Sequence, residues 1–231
     1  MNLFYQPGIP HGITYLDAEE SRHVARALRR REGDHMDLTD GKGFFYVAKI
    51  VKADSRKCEF EILDKREIPK RNFYLHIAIA PTKNADRTEW FVEKAVEIGV
   101  EEISFILCKN SERKVINMER ISKIAISALK QSQQAWLPKL NDVVPFDRIL
   151  HPTVDQKFIA CVDSSNPKHL QSAAQQNKKY LVLIGPEGDF TPGELALALQ
   201  NGFEKVSLGA NRLRTETAGL AAVQVLGLAN G

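Results

Sequence analysis

Two segments near the C-terminus combine glycines with charged residues in patterns that could carry chemistry. The first is Gly185-Pro186-Glu187-Gly188-Asp189-Phe190. Glycine admits positive φ and lets a ligand approach bare backbone. No Lys-Ser or Lys-Thr follows, so this is not a phosphate-cradling Walker loop. Its glycine spacing is also wrong for a dinucleotide fold. A neutral adenosine held through backbone amides fits better; a plain strand-to-helix turn is the alternative. The second segment, Gly209-Ala210-Asn211-Arg212-Leu213-Arg214-Thr215-Glu216-Thr217, sets two arginines beside an acid and two threonines. A helix starting near Thr215 would turn free amides and a positive dipole end toward that loop. The small residues Ala218-Gly219-Leu220-Ala221-Ala222-Val223 would let that helix pack closely on another backbone. A surface salt-bridge cluster ahead of a core helix is the alternative. Asp163-Ser164-Ser165 is a third candidate loop.

Basic residues form two sets. Arg22, Arg26, Arg29 and Arg30 recur at spacings of three or four, which puts Arg22-Arg26-Arg29 and Arg26-Arg30 on one helix face, with His23 beside it. Clustered guanidinium groups match phosphate oxygens; a solvated helix face is the alternative. Lys83, Arg87, Lys94, Lys109, Arg113 and Lys114 form the second set. Basic groups in both halves favour a polyanion that spans them. The six His are scattered and no paired Cys occurs, so no metal-ligand spacing is present. Ser111 and Ser164 lack the Gly-x-Ser-x-Gly elbow of a hydrolase nucleophile.

The elements that must position these groups read as two regions, 1–70 and 71–231. In the first, Asp17 caps a helix expected to reach about Arg31, where Gly33 breaks it. Met36 and Leu38 alternate with polar neighbours, Asp40-Gly41-Lys42-Gly43 is a hairpin turn, and 44–50 and 58–63 continue as strands. Short strands with tight turns suggest a small β-barrel with a helix across it. The charged, Pro-broken run 65–71 reads as a linker. The second region alternates strands (73–80, 103–107, 158–162, 180–184, 203–208) with helices, one over 89–98 closed by Gly99 and one over 118–129. Thr191-Pro192-Gly193-Glu194 is a capping box with Pro at the first helical position. Such alternation predicts an α/β fold with a parallel sheet, whose ligands bind at the carboxyl ends of the strands. The 231 residues are 43% hydrophobic and 26% charged, with a formal net charge of +3. That composition excludes disorder and a disulfide scaffold, while the charge neither requires nor excludes nucleic acid. No apolar run approaches the ~20 residues of a membrane helix, and the N-terminus lacks a signal-peptide pattern. Three separated cysteines suit a reducing cytosol, so the expected location is cytoplasmic, with no membrane partner.

Ile184-Gly185-Pro186-Glu187-Gly188, Leu208-Gly209 and Leu213-Arg214-Thr215-Glu216-Thr217-Ala218 resemble the signature of the 16S ribosomal RNA (uracil-N3)-methyltransferases of the SPOUT superfamily. The resemblance spans nearly the whole chain. His23-Val24-Ala25-Arg26-Ala27-Leu28-Arg29, Gly33-Asp34 and Asp40-Gly41 look like that family's N-terminal PUA-like barrel. Lys83, Asp86-Arg87, Trp90, Glu93-Lys94, Glu97 and Gly99-Val100 look like its opening catalytic motif, and Ser111-Glu112-Arg113 and Gln131-Ser132 also have counterparts. The resemblance implies a C-terminal trefoil knot, a homodimer, S-adenosylmethionine as methyl donor, and 16S rRNA, within the assembled small ribosomal subunit, as substrate. It implies that Leu183, Gly185, Pro186 and Gly188 contact the donor, and that Leu208, Gly209, Leu213, Thr217 and Ala218 close the adenine pocket. Arg214 and Glu216 would face the transfer site, with Arg214 stabilising the uracil anion and Glu216 orienting it or relaying the proton; a purely structural pairing of Glu216 with an arginine is the alternative. His23, Arg26, Arg29, Arg30, Lys83, Arg87, Lys94 and Arg113 would hold RNA. The family usually has glycine at the position of Asp189, and Pro-Arg plus an aliphatic residue where this chain has Ala210-Asn211-Arg212. Methylation of transfer RNA or another ribosomal base, a non-catalytic RNA-binding protein on the same scaffold, and an interaction module with solubilising charges stay open as other readings.

Overall fold

The computed structural model describes residues 2–161 and 167–231. The candidate loop Asp163-Ser164-Ser165 lies outside the described residues. The chain divides into two compact units: Met1–Lys70 with Ile126–Leu137, and Arg71–Ala125 with Pro138–Gly231.

In the first unit, β1 (Leu3–Tyr5) precedes helix α1 (Ala18–Arg22), followed by β2 (His35–Thr39), β3 (Phe44–Lys52) and β4 (Glu59–Glu67). They form a sheet of order β1-β2-β3-β4, parallel between β1 and β2 and antiparallel elsewhere. Alternation works as expected: Met36, Leu38, Tyr46, Ala48, Ile50 and Phe60 are buried and pack with Phe4, Leu16 and Val24. The Asp40–Gly43 turn forms, with Asp40 Oδ1 accepting from the amides of Lys42 (2.8 Å) and Phe44 (3.2 Å). Strand β1 escapes sequence reading because three residues are too few to show a period.

Two expectations for this unit need correction. Asp17 does cap α1, accepting from Glu19 and Glu20 amides at 2.9 and 2.8 Å. The α-helix ends at Arg22, however, and a π turn follows over His23–Ala27, closed by Leu28 N–H on the His23 carbonyl at 3.0 Å. Arg29 then takes a left-handed φ of 52°. The wider π turn and this exit depart from the regular 3.6-residue period on which the arginine face was expected. Residues 65–67 are not linker either. They extend β4 and pair with Tyr46, Phe45 and Phe44, because Lys65 packs its ammonium over the Phe44 ring at 3.8 Å.

The second unit runs β5 (Tyr74–Ile79), α2 (Ala85–Ile98), β6 (Glu102–Leu107), α3 (Met118–Gln131), β7 (Lys139–Pro145), β8 (Gln156–Ala160), α4 (Leu170–Ala173), β9 (Lys179–Ile184), α5 (Pro192–Gln200), β10 (Glu204–Val206) and α6 (Thr215–Asn230). The unit division falls inside α3. Six parallel strands line up as β10-β8-β9-β5-β6-β7. The central strands β5 and β9 are buried along nearly their whole length, as unbroken apolar runs require. Strand β7 was not expected: its mixed polar sequence suits an edge strand and gives no clean period. Helix α2 starts four residues before Glu89, because Asn84 caps it by accepting from the Asp86 amide at 3.0 Å. The Thr191–Glu194 capping box forms in full. Helix α6 begins at Thr215 and packs on α2, β5 and β9. Gly219 permits that approach: a Cβ there would lie 2.6 Å from the Phe91 ring and 2.9 Å from Ile79.

Candidate active site

Strands β9 and β10 end at the same carboxyl edge of the sheet, and the segments leaving them enclose a cavity of about 480 Å³. The loop after β9 contributes Gly185, Pro186, Glu187 and Asp189; the segment into α6 contributes Ser207 to Thr215, and α6 itself contributes Ala218. The two walls are joined directly, since Thr215 Oγ1 donates to the Gly185 carbonyl at 3.0 Å. Gly209 takes φ 138°, and its amide donates to Ser207 Oγ at 3.2 Å. That conformation suits glycine alone among the residues. The lining combines small and apolar residues, among them Gly185, Pro186, Gly209, Ala210 and Ala218, with the charged side chains Glu187, Asp189, Arg212 and Arg214.

The structure distributes the expected donor-site residues unevenly. Gly185, Pro186, Leu208, Gly209, Leu213 and Ala218 line the cavity. Leu183 is fully buried in β9 and joins the core with Ala78 and Leu181. Gly188 faces Asn110, whose Nδ2 donates to the carbonyls of Gly188 and Asp189 at 3.1 Å each. Thr217 is exposed on α6 and is not in the wall. Asp189 holds a left-handed φ of 61°. Its amide donates to the Pro186 carbonyl at 2.9 Å and its Oδ1 accepts from Phe190 N–H at 2.8 Å.

Arg214 precedes α6 as its N-terminal boundary residue, lines the cavity and is exposed. Glu216 does not line it. As the second residue of α6, it is buried, with Oε1 3.8 Å from Arg87 Nε and Oε2 without any donor. Glu187, which sequence reading treated as part of the loop and gave no role, does line the cavity. Its Oε1 accepts from the Lys83 amide at 2.9 Å, and its Oε2 has no donor. The available signal was its place as the one charged residue between Gly185 and Gly188.

The second basic set is largely engaged. Lys83 Nζ pairs with Glu112 at 2.8 Å, and that hydrogen bond raises its pKa. Arg113 spends its Nε and one terminal nitrogen on the carbonyls of Thr82 and Lys83 at 2.8–3.1 Å. Lys94 lies between Glu93 (2.7 Å) and Glu97 (2.9 Å), whose hydrogen bonds raise its pKa. In the first unit, Arg26, Arg29 and Arg30 are exposed, and the His23 ring sits edge-on to Phe4 at 5.8 Å. Among the described residues no cluster of three or more His, Cys, Asp or Glu could hold a metal ion. Among them, no helix is long and apolar enough to cross a membrane.

Residues 69–227 match the model of the RNA methyltransferase domain family. The chain belongs to that family. Residues 16–63 match the RNA methyltransferase PUA domain. A crystal structure from Porphyromonas gingivalis, described as a probable rRNA-methyltransferase, is 43% identical with a TM-score of 0.90, covering 97% of this chain and 96% of that one. A ribosomal RNA small subunit methyltransferase E from Neisseria gonorrhoeae, bound to S-adenosyl methionine, superposes with a TM-score of 0.85 at 27% identity over 98% and 96% of the two chains. The ribosomal RNA small subunit methyltransferase E of Aquifex aeolicus is 27% identical over 234 residues, covering 98% of this chain and 99% of that protein. In this member of the family the cavity lies within the matched methyltransferase domain.

Proposed function

We propose that the chain transfers the methyl group of S-adenosylmethionine to N3 of a uridine in the 16S rRNA of the small ribosomal subunit. The observation that carries this reading is the cavity at the carboxyl edge, between two glycine-containing loops that the Thr215–Gly185 hydrogen bond ties together. Its volume falls in the range for small-molecule sites, roughly 300–1,000 Å³. Gly185, Pro186, Leu208, Gly209, Leu213 and Ala218 fit the donor's adenosine, being apolar or bare backbone. When bound, the donor supplies an electrophilic methyl carbon on a sulfonium sulfur. The chain's own residues do the rest. The two loops hold the donor against the sheet edge and exclude water. Arg214, with a guanidinium that makes no hydrogen bond or ion pair among the described residues, offers a charged hydrogen bond to the uracil ring as negative charge develops on it. Glu216, set against Arg87, anchors that arginine beside the site instead of meeting the base.

The same reading extends to the finer architecture. The first unit is a PUA-like small barrel whose Arg26, Arg29 and Arg30, with His23, hold RNA phosphates; Lys83, Arg87, Lys94 and Arg113 contribute from the second unit. The C-terminus forms a trefoil knot, a reading supported by the return of α6 from edge strand β10 to pack on central strands β5 and β9. A homodimer is supported by Leu228 of α6, left 68% exposed. The substrate is the assembled small subunit, in the cytoplasm. Nucleoside digestion of 16S rRNA from cells with and without the protein tests the activity. 3-Methyluridine that disappears with the protein supports it. An unchanged 3-methyluridine content, or a lost modification in transfer RNA instead, overturns it. Calorimetric titration with S-adenosylmethionine separates an enzyme from a non-catalytic RNA-binding relative, which would show no heat of binding.

A further inference from the structure

Methylation at N3 requires a proton to leave that nitrogen, and an acceptor must stand near it. Among the described residues, three buried side-chain oxygens find no hydrogen-bond donor: Oε2 of Glu20, Glu187 and Glu216. Glu20 belongs to the first unit and gives its other oxygen to Lys130. Glu216 leans on Arg87 and does not reach the cavity. Glu187 alone of the three lines it. We propose that the Glu187 carboxylate is the proton acceptor for the uridine N3, an inference that rests on the uridine-methylation reading above.

One hydrogen bond holds the carboxylate itself, and two more steady the backbone on either side of that bond. Lys83 N–H fixes Oε1 at 2.9 Å, and an Arg212 nitrogen holds the Glu187 carbonyl at 3.3 Å. The Lys83 carbonyl is in turn fixed by Arg113 at 2.8 Å. The carboxylate is thus fixed through Oε1 alone, and Oε2 is left without a donor. A buried acceptor without a donor is unfavourable, and an entering N–H relieves that. Oε1 has a single fixed donor, and the terminal torsion of a glutamate is broad. A modest rotation therefore turns Oε2 toward an incoming base.

The cationic end of the methyl donor is the other candidate occupant, and transition-state reasoning disfavours it. A carboxylate against a sulfonium stabilises the charged ground state more than a transition state in which that charge is being lost, so it slows transfer. A carboxylate taking the N3 proton gains strength as the nitrogen becomes nucleophilic. In the step, the N3–H bond breaks, its electron pair stays on nitrogen, and its proton passes to Glu187 Oε2. That pair forms the N3–carbon bond, while the carbon–sulfur pair returns to sulfur. The carboxyl group then releases its proton to water.

The test uses full-length Glu187→Gln, with donor affinity by calorimetry and single-turnover methylation of small ribosomal subunits at saturating donor. The rate is expected to fall about 10²–10⁴-fold, the range for a lost general base. Donor affinity should stay within about threefold. The residual rate should climb about tenfold per pH unit as hydroxide replaces the carboxylate. Glu187→Ala gives a second route: added formate should raise its rate and leave that of the wild type unchanged. A Glu187→Gln rate within about threefold of wild type overturns the assignment. So does a large loss of donor affinity with the rate at saturating donor unchanged, since the carboxylate then serves the donor. Absence of formate rescue with donor binding intact overturns it as well. Failure of the parent reading is separately visible, because the wild type would then form no 3-methyluridine in the same digest.

Discussion

Asp189 holds a left-handed backbone, φ 61°, at the rim of the cavity. Asp reaches this region more readily than most residues because its short side chain can bond locally, and here Oδ1 meets the Phe190 amide. Glycine would meet the same conformational demand without strain. Asp189→Gly should therefore keep stability within about 1 kcal/mol of wild type. Asp189→Val, whose branched Cβ clashes in that conformation, should lose about 1–2 kcal/mol in urea unfolding. Arg214 carries a chemical prediction. Arg214→Ala should lower single-turnover methylation at saturating donor about 10²–10³-fold, as removal of a charge-stabilising donor does, with donor affinity retained; an unchanged rate would remove this arginine from the chemistry. Residue types and spacing brought both glycine loops into view. They could not separate Glu187 from Glu216, because which acid reaches the cavity depends on where α6 lies over the sheet.

Across β5, β6 and β7, polar side chains, with His76 and Ser104 buried among them, form one network at the amino ends of the strands. His76 Nε2 meets Ser104 Oγ at 2.7 Å, and Tyr74 donates to Glu102 Oε2 at 2.7 Å. Lys139 and Asn141 donate to Glu102 Oε1 at 2.9 and 2.6 Å. Burial pushes His76 down from 6.5 to about 4, against the pull of Glu102. The unfolded chain therefore binds more protons than the native one between these values. Stability rises with pH through that window and falls as pH drops from 6.5 toward 4. The full effect is about 3 kcal/mol by proton linkage. Burial alone would raise the pKa of Glu102, but His76, Tyr74, Lys139 and Asn141 outweigh it and leave it lowered from 4.5, so its stabilisation is lost only at more acidic pH. Urea unfolding at pH 7 and pH 5 should show the His76 loss, and His76→Gln should flatten it; an equal slope in the variant would refute this. Sequence reading missed β7 for a related reason. Lys139 and Asn141 carry no apolar period, and only the pairing with β6 brings them to Glu102.

At the scale of the molecule, the first unit is not one continuous stretch of chain. Residues 126–137 close it. A Cβ on Gly43 would lie 2.2 Å from the Trp136 ring, so glycine there makes room for the indole. Trp136 Nε1 donates to the Ile68 carbonyl at 2.9 Å, and Lys70 Nζ lies 4.7 Å from the ring centre. Gly43 N–H donates to the Ala135 carbonyl at 2.8 Å and Leu137 N–H to that of Gly41 at 2.9 Å, while Lys130 pairs with the buried Glu20. A fragment ending at Lys70 loses all of these and leaves Glu20 buried without its cation, a costly change. Such a fragment should lack a cooperative thermal transition by circular dichroism. A sharp melt at the temperature of the full chain would show that 126–137 is dispensable.

By itself the sequence determined the alternation of strands and helices in the second unit, the helix starts at Asp17, Thr191 and Thr215, and the two glycine loops, with motifs that resemble a methyltransferase signature. These are local properties: an apolar run records burial, a capping residue satisfies amides within its own turn, and a glycine marks backbone that other residues avoid. The tertiary structure alone decided the strand over 139–145, the π turn over His23–Ala27, the return of 126–137 to the first unit, and the choice of Glu187 over Glu216 at the cavity. Each of these depends on partners far away in the chain, whose contacts outweigh the small local preferences that a sequence pattern expresses.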